Sequence, residues 1–160
     1  MTSKVEAKRV VSSARDLLEY IDLQDIFFVE LNATKRLGES DEELNIAPTE
    51  TNRVLQRVTD TEIDVRSIND VETGDAKYHV DVVVRYGLTE PLELTPEANQ
   101  EFVERVAIMA AWPYVREAMA DLSRKIRATP VTLGMLKDGQ VRATQDQAVV
   151  DELADLDPSS

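Results

Sequence analysis

The side chains able to do chemistry in this 160-residue chain are few and scattered. There is one histidine, His79, and no cysteine. Thiolate catalysis, disulfides, Cys-ligated metals and His-rich zinc sites therefore cannot be assembled. His79 falls on the polar side of a strand pattern, where an ordinary exposed residue is expected. Carboxylates are abundant, and a pair of them can hold Mg²⁺ or carry out acid–base work. Their one dense run, Glu39-Ser40-Asp41-Glu42-Glu43, reads as a solvated loop. The five glycines are dispersed and form no phosphate-cradling loop. The expectation is no catalytic residue, no metal and no cofactor.

Binding chemistry is better represented. The first strand and the long helix carry more apolar residues than one small sheet can cover. The surplus is expected either in a thick core or in a subunit interface or apolar groove. A groove of that kind offers non-directional burial at about 25 cal/mol per Å², and a strand edge for backbone pairing. The net charge of −13 opposes nucleic-acid phosphates and anionic membranes. It favours solubility or a basic partner. An acidic interaction or decoy protein is accordingly the alternative reading.

The elements that position these residues follow from periodicity. One domain, 1–160, is expected. Ser3-Lys4-Val5-Glu6 fits a capping box, and Val10, Ala14, Leu17 and Ile21 recur at helical spacing, which predicts an N-terminal helix over 3–21. A sheet is expected over 23–88. Its first strand runs from Leu23 to Arg36, with Phe27, Val29 and Leu31 on one face and Ile26 and Phe28 on the other. A short strand is placed at Leu44-Asn45-Ile46, ending at Pro48. A third lies between Val54 and Val71, and a fourth carries Tyr78, Val80, Val82, Val84 and Tyr86 on one face. The last two form a hairpin around Gly74. Thr95-Pro96-Glu97 starts a long helix over 96–128. The stretch Val106 to Trp112 is apolar all round and is expected to be buried on most sides. An acidic C-terminal helix and tail occupy 145–160. Met1-Thr2-Ser3-Lys4 opens a charged segment and not an apolar signal region, and no run is long enough to span a membrane, so a cytoplasmic location is expected.

The long helix contains Trp112-Pro113-Tyr114-Val115-Arg116-Glu117, with a proline where helices avoid one. It reads as a kinked joint between a buried half and a one-sided half, tied by Arg116 and Glu117. Together with Asp121-Leu122 and Pro130-Val131-Thr132-Leu133, this stretch resembles the C-terminal signature of the SecB chaperone family. Asp25-Ile26-Phe27-Phe28 is similar to the opening of that family's first strand. The resemblance covers roughly residues 20–136. It implies an α+β fold, a four-stranded antiparallel sheet with a long helix, assembled as a dimer of dimers. It also implies an ATP-independent holdase for unfolded clients, either preproteins exported through SecA or an aggregation-prone antitoxin. By position it assigns Leu44, Ile46, Leu133, Met135, Val149 and Leu153 to a client-binding groove, and Trp112, Pro113, Tyr114, Arg116 and Glu117 to a structural or oligomer-interface motif. Asp25 matches one acid of the SecA-type contact. Val29 stands where the next acid is expected, the tail is acidic where the export branch is basic, and the N-terminal helix is an addition.

Overall fold

The computed structural model describes residues 7–38 and 48–134. Its centre is an antiparallel sheet of four strands: β2 (Ile21–Lys35), β3 (Thr49–Val58), β4 (Glu62–Glu72) and β5 (Ala76–Leu88), in the order β2-β5-β4-β3. A two-stranded parallel sheet joins β1 (Arg9–Val11) to β6 (Leu92–Leu94), and one helical turn, α1 (Ala14–Leu17), links β1 to the main sheet. The long helix consists of α2 (Pro96–Phe102), a π-helical stretch (Val103–Ala107) and α3 (Ile108–Lys125).

The strict alternation of β5 decides which face is the core. Tyr78, Val80, Val82, Val84 and Tyr86 are all buried beneath the helix, with Phe102, Ile108, Val115 and Met119 against them. Tyr86 meets Phe102 edge-on at 5.1 Å between ring centres. The β4–β5 hairpin closes as expected around Gly74: the Ala76 amide donates to Thr73 Oγ1 at 3.1 Å, and the Thr73 amide donates to the Ala76 carbonyl at 2.9 Å.

The helix expected over 3–21 is not present in its described part. Val10 and Val11 are β-branched and pair as a strand, and helix formation is postponed to Ser13, whose hydroxyl accepts from the Asp16 amide at 3.1 Å. Val11, Ala14, Leu17 and Ile21 are buried while Val10 is 61% exposed, so an apolar pattern with helical spacing is satisfied by a strand, a turn and a second strand. The short strand expected at Leu44-Asn45-Ile46 lies outside the described residues. Strand β3 begins at Thr49, and the region assigned to one strand between Val54 and Val71 holds parts of two, turning at Thr59–Thr61.

Strand β2 is interrupted twice, between Leu23 and Asp25 and between Phe28 and Glu30. The second break moves Leu31 to the same face as Ile26 and Phe28, opposite Val80, so the expected Phe27-Val29-Leu31 face does not form. At the first break the Gln24 side chain lies over Gly87, where a Cβ would come within 2.2 Å of it, so Gly87 is needed for that close approach.

The helix starts as predicted, with the Thr95 hydroxyl accepting from the Ala98 amide at 3.2 Å and Pro96 in the first turn. The irregularity lies upstream of Pro113. Phe102 and Ala107, and likewise Val103 and Ile108, are buried residues five apart. The π-helical stretch, with the Ile108 amide donating to the Val103 carbonyl, stacks them on one face. The helix ends at Lys125 rather than Ala128. Arg127 takes a positive φ of 55°, and the Ala128 amide donates back to the Ser123 carbonyl at 3.0 Å. Met109 is half exposed, so Val106 to Trp112 is not covered on all sides.

Candidate functional site

The two faces of the sheet have different chemistry. On the face away from the helix, arginines and carboxylates pair across strands. Asp64, buried, accepts from Arg57 at 2.6 Å and from Arg85 at 2.8 and 2.9 Å, and Glu62 joins the same arginines. Arg66 donates to both oxygens of buried Asp81, at 2.6 to 3.1 Å. Arg85 also lies over the Phe27 ring at 5.5 Å. His79 is half-buried instead of free: its Nδ1 is 2.6 Å from Asp70 and its Nε2 3.4 Å from Glu30. Asp25 is exposed and stands opposite Arg85 in the register. Carboxylates matched this closely by arginines hold the strands together. Among the described residues no cluster of three metal-binding groups occurs.

On the helix side, β3 carries amides that point inward. Asn52 donates to Ser67 Oγ at 3.1 Å and also to Asn69, and Gln56 donates to Asn99 of α2 at 2.6 Å. The core tyrosines are held neutral. Burial pushes the Tyr86 phenol up to about 12, and burial, with Asp75 nearby, raises that of Tyr78. Partial burial pushes the Asp75 carboxyl up, but hydrogen bonds from Thr129 and Thr73 outweigh it and hold its pKa below the ordinary value. This fixes the start of the segment that returns after the helix, since the Thr129 amide donates to Asp75 at 2.7 Å.

The tryptophan–proline motif faces mainly outward. The stripe Ala111, Val115, Ala118 and Met119 takes the core side, which leaves Pro113, Tyr114, Arg116 and Glu117 exposed. Arg116 and Glu117 have no ion-pair partner among the described residues, so they do not tie a joint. Helix α3 runs unbroken through Pro113, and the carbonyl left without its usual donor belongs to half-exposed Met109. Trp112 is half-buried and donates from Nε1 to the Gly134 carbonyl at 2.9 Å, holding the returning segment along the helix. Between them lies a shallow groove of about 310 Å³, lined by Pro113, Arg116, Glu117, Ala120, Val131 and Leu133. Leu133 is only 3% exposed, so it belongs to the floor of this groove and to the core, not to a wall. Leu44, Ile46, Met135, Val149 and Leu153 lie outside the described residues.

Sequence reasoning did not single out the helix-side face of β2. Leu23, Phe28 and Leu31 are 54%, 38% and 46% exposed there. The surplus of apolar residues in this strand is visible in the sequence, but the bulge that groups them is not.

No family model matches the chain. It is 26% identical over 132 residues to the SecB-like chaperone SmegB of Mycolicibacterium smegmatis, covering 82% of this chain and 86% of that protein. The SecB-like chaperone Rv1957 of Mycobacterium tuberculosis, solved in complex with a ChAD peptide from the HigA1 antitoxin, superposes with a TM-score of 0.64 at 16% identity, covering 79% of this chain and 98% of that one. The superposition carries the fold. By sequence and by fold together, the chain is similar to the SecB-like chaperones.

Proposed function

We propose that the chain is an ATP-independent holdase that keeps unfolded or aggregation-prone polypeptides in solution. The observation that carries this reading is the relationship to SecB-like chaperones in both sequence and fold. The surface supports it. The groove along α3 has an apolar floor of Val131 and Leu133 and a rim of Arg116 and Glu117, which suits apolar side chains on an extended chain with polar flanks. An antitoxin-type client is favoured over an exported preprotein, because a structurally similar chaperone was solved with an antitoxin peptide. A SecA contact rests on Asp25 alone, since Val29 lies within a bulge and carries no charge.

The chain works as a homo-oligomer. Leu23, Phe28 and Leu31 on an edge strand form the kind of exposed apolar surface that a second copy buries, and the outward motif residues Trp112, Pro113 and Tyr114 supply a further contact for a dimer of dimers. Native mass spectrometry of the purified chain tests the assembly, and co-purification of a defined antitoxin tests the client class. A monomeric, client-free protein that leaves aggregation unchanged contradicts the reading.

A further inference from the structure

We infer that the N-terminal segment 7–18 is a built-in competitor for clients, a strap that fills an apolar trough between β6 and α2 and yields it to an unfolded chain. This rests on the holdase reading and adds to it a means of regulation. The strap is a separate piece of structure. Strand β1 lies outside the four-stranded sheet, in a two-stranded sheet of its own with β6. The chain then continues as the single turn α1, packed on α2. Val11, Ala14 and Leu17 fill the trough, 3%, 5% and 0% exposed, in one cluster with Leu92 and Phe102. Val10, Ser12, Arg15 and Leu18 turn outward.

What the strap gives the trough is what any unfolded chain can give. It supplies small and medium aliphatic side chains, whose burial is non-directional. It also supplies main chain: the Thr95 amide donates to the Val11 carbonyl at 3.0 Å. Neither contribution depends on a particular sequence, so a client segment can replace it.

The strap is lightly held at its start and firmly held at its end. A parallel pairing is less stable per residue than an antiparallel one, and a lone pair of short strands is marginal. The pairing here spans only Arg9 to Val11. Lys8 pairs with Asp60 at 2.6 Å and Arg9 with Glu90, but all four side chains are at least 40% exposed. Ion pairs so exposed contribute little and are screened by salt. Ala7, Lys8 and Arg9 face Glu90 and Pro91 across an open cleft of about 420 Å³, so the first residues are not packed down. At the other end the Thr89 amide donates to the Tyr20 carbonyl at 2.9 Å, where β2 begins. The strap can therefore peel from residue 7 toward Tyr20 and leave β2 in place. A client that needs the trough sees only the open fraction, and its apparent affinity is lowered by that fraction.

The chain has no cysteine, so one engineered disulfide can lock the strap in the full chain. Val10 and Glu93 are register partners with exposed side chains, and Val10→Cys with Glu93→Cys joins β1 to β6. The client used is reduced, carboxymethylated α-lactalbumin, which stays unfolded in buffer. The oxidised variant is expected to bind it about tenfold or more weakly than the same protein after reduction. Lys8→Ser with Arg9→Ser, which removes both ion pairs, is expected to bind about threefold more tightly than the parent. Adding the client to the parent should speed hydrogen exchange within 9–17 and leave 62–88 unchanged. Equal binding by the oxidised and reduced forms, or exchange within 9–17 that the client leaves unchanged or slows, overturns the inference while keeping the holdase. Absence of binding by every form, together with no suppression of aggregation, removes the holdase reading and the inference with it.

Discussion

The two edges of the sheet are built in opposite ways. Strand β2 is long, broken twice in register, and displays Leu23, Phe28 and Leu31 on its helix side. Strand β3 is unbroken, polar at its open end, and its side chains reach inward. A bulged backbone is a poor template for strand addition, while exposed apolar side chains favour burial against a shaped surface. A regular backbone with retracted side chains has the reverse preference.

The largest effect should come from removing the apolar side of this contrast. Replacing Leu23, Phe28 and Leu31 together by Ser is expected to convert the assembly to single chains of 18.0 kDa in sedimentation experiments. Retention of the native mass would place the subunit contact elsewhere. Next in size is Asp64→Asn, which removes the buried charge that Arg57 and Arg85 share and leaves Glu62 facing both. A loss of about 3 kcal/mol is expected in urea unfolding. A variant as stable as the parent would show that the ionic lattice is decorative.

A smaller, pH-dependent loss follows from Tyr86. Its phenol is raised to about 12 by burial, against about 10 in an unfolded chain. Between these values the unfolded state has already lost its proton and the folded state has not, so stability is retained below about pH 10 and falls as pH rises toward 12. Tyr86→Phe should flatten that decline, which thermal melts across the range will show. The smallest effect is at Gln56. Gln56→Ala removes the bond to Asn99 and should cost about 1 kcal/mol in urea unfolding, with little change in assembly.

What could be read from the sequence depended on how strictly each pattern was kept. Strand β5 and the Thr95-Pro96 helix start were legible because alternation and capping chemistry act locally. The same holds for the turn at Gly74 and for the proline motif that carries the resemblance to SecB chaperones. Strand β3 was not legible. Asn52 and Gln56 look like solvent-facing residues in sequence, but on the helix side of the sheet they find partners on β4 and α2. The N-terminal segment misled because Ala14, Leu17 and Ile21 are buried at helical spacing although only Ala14–Leu17 is helical. The bulges in β2 and the five-residue step from Phe102 to Ala107 are responses to tertiary packing, and no local residue type announces them. The five client-groove residues assigned from the resemblance beyond Leu133 lie outside the described residues, so the candidate surface was rebuilt from α3 and β2.

The central claim is that this chain holds unfolded polypeptides without a nucleotide cycle. Light scattering from a chemically unfolded, aggregation-prone protein diluted into buffer with the full chain tests it most directly. The account predicts that scattering falls as the chain is raised to stoichiometric amounts and that added ATP changes nothing. Undiminished scattering at a molar excess of well-folded chain would contradict it.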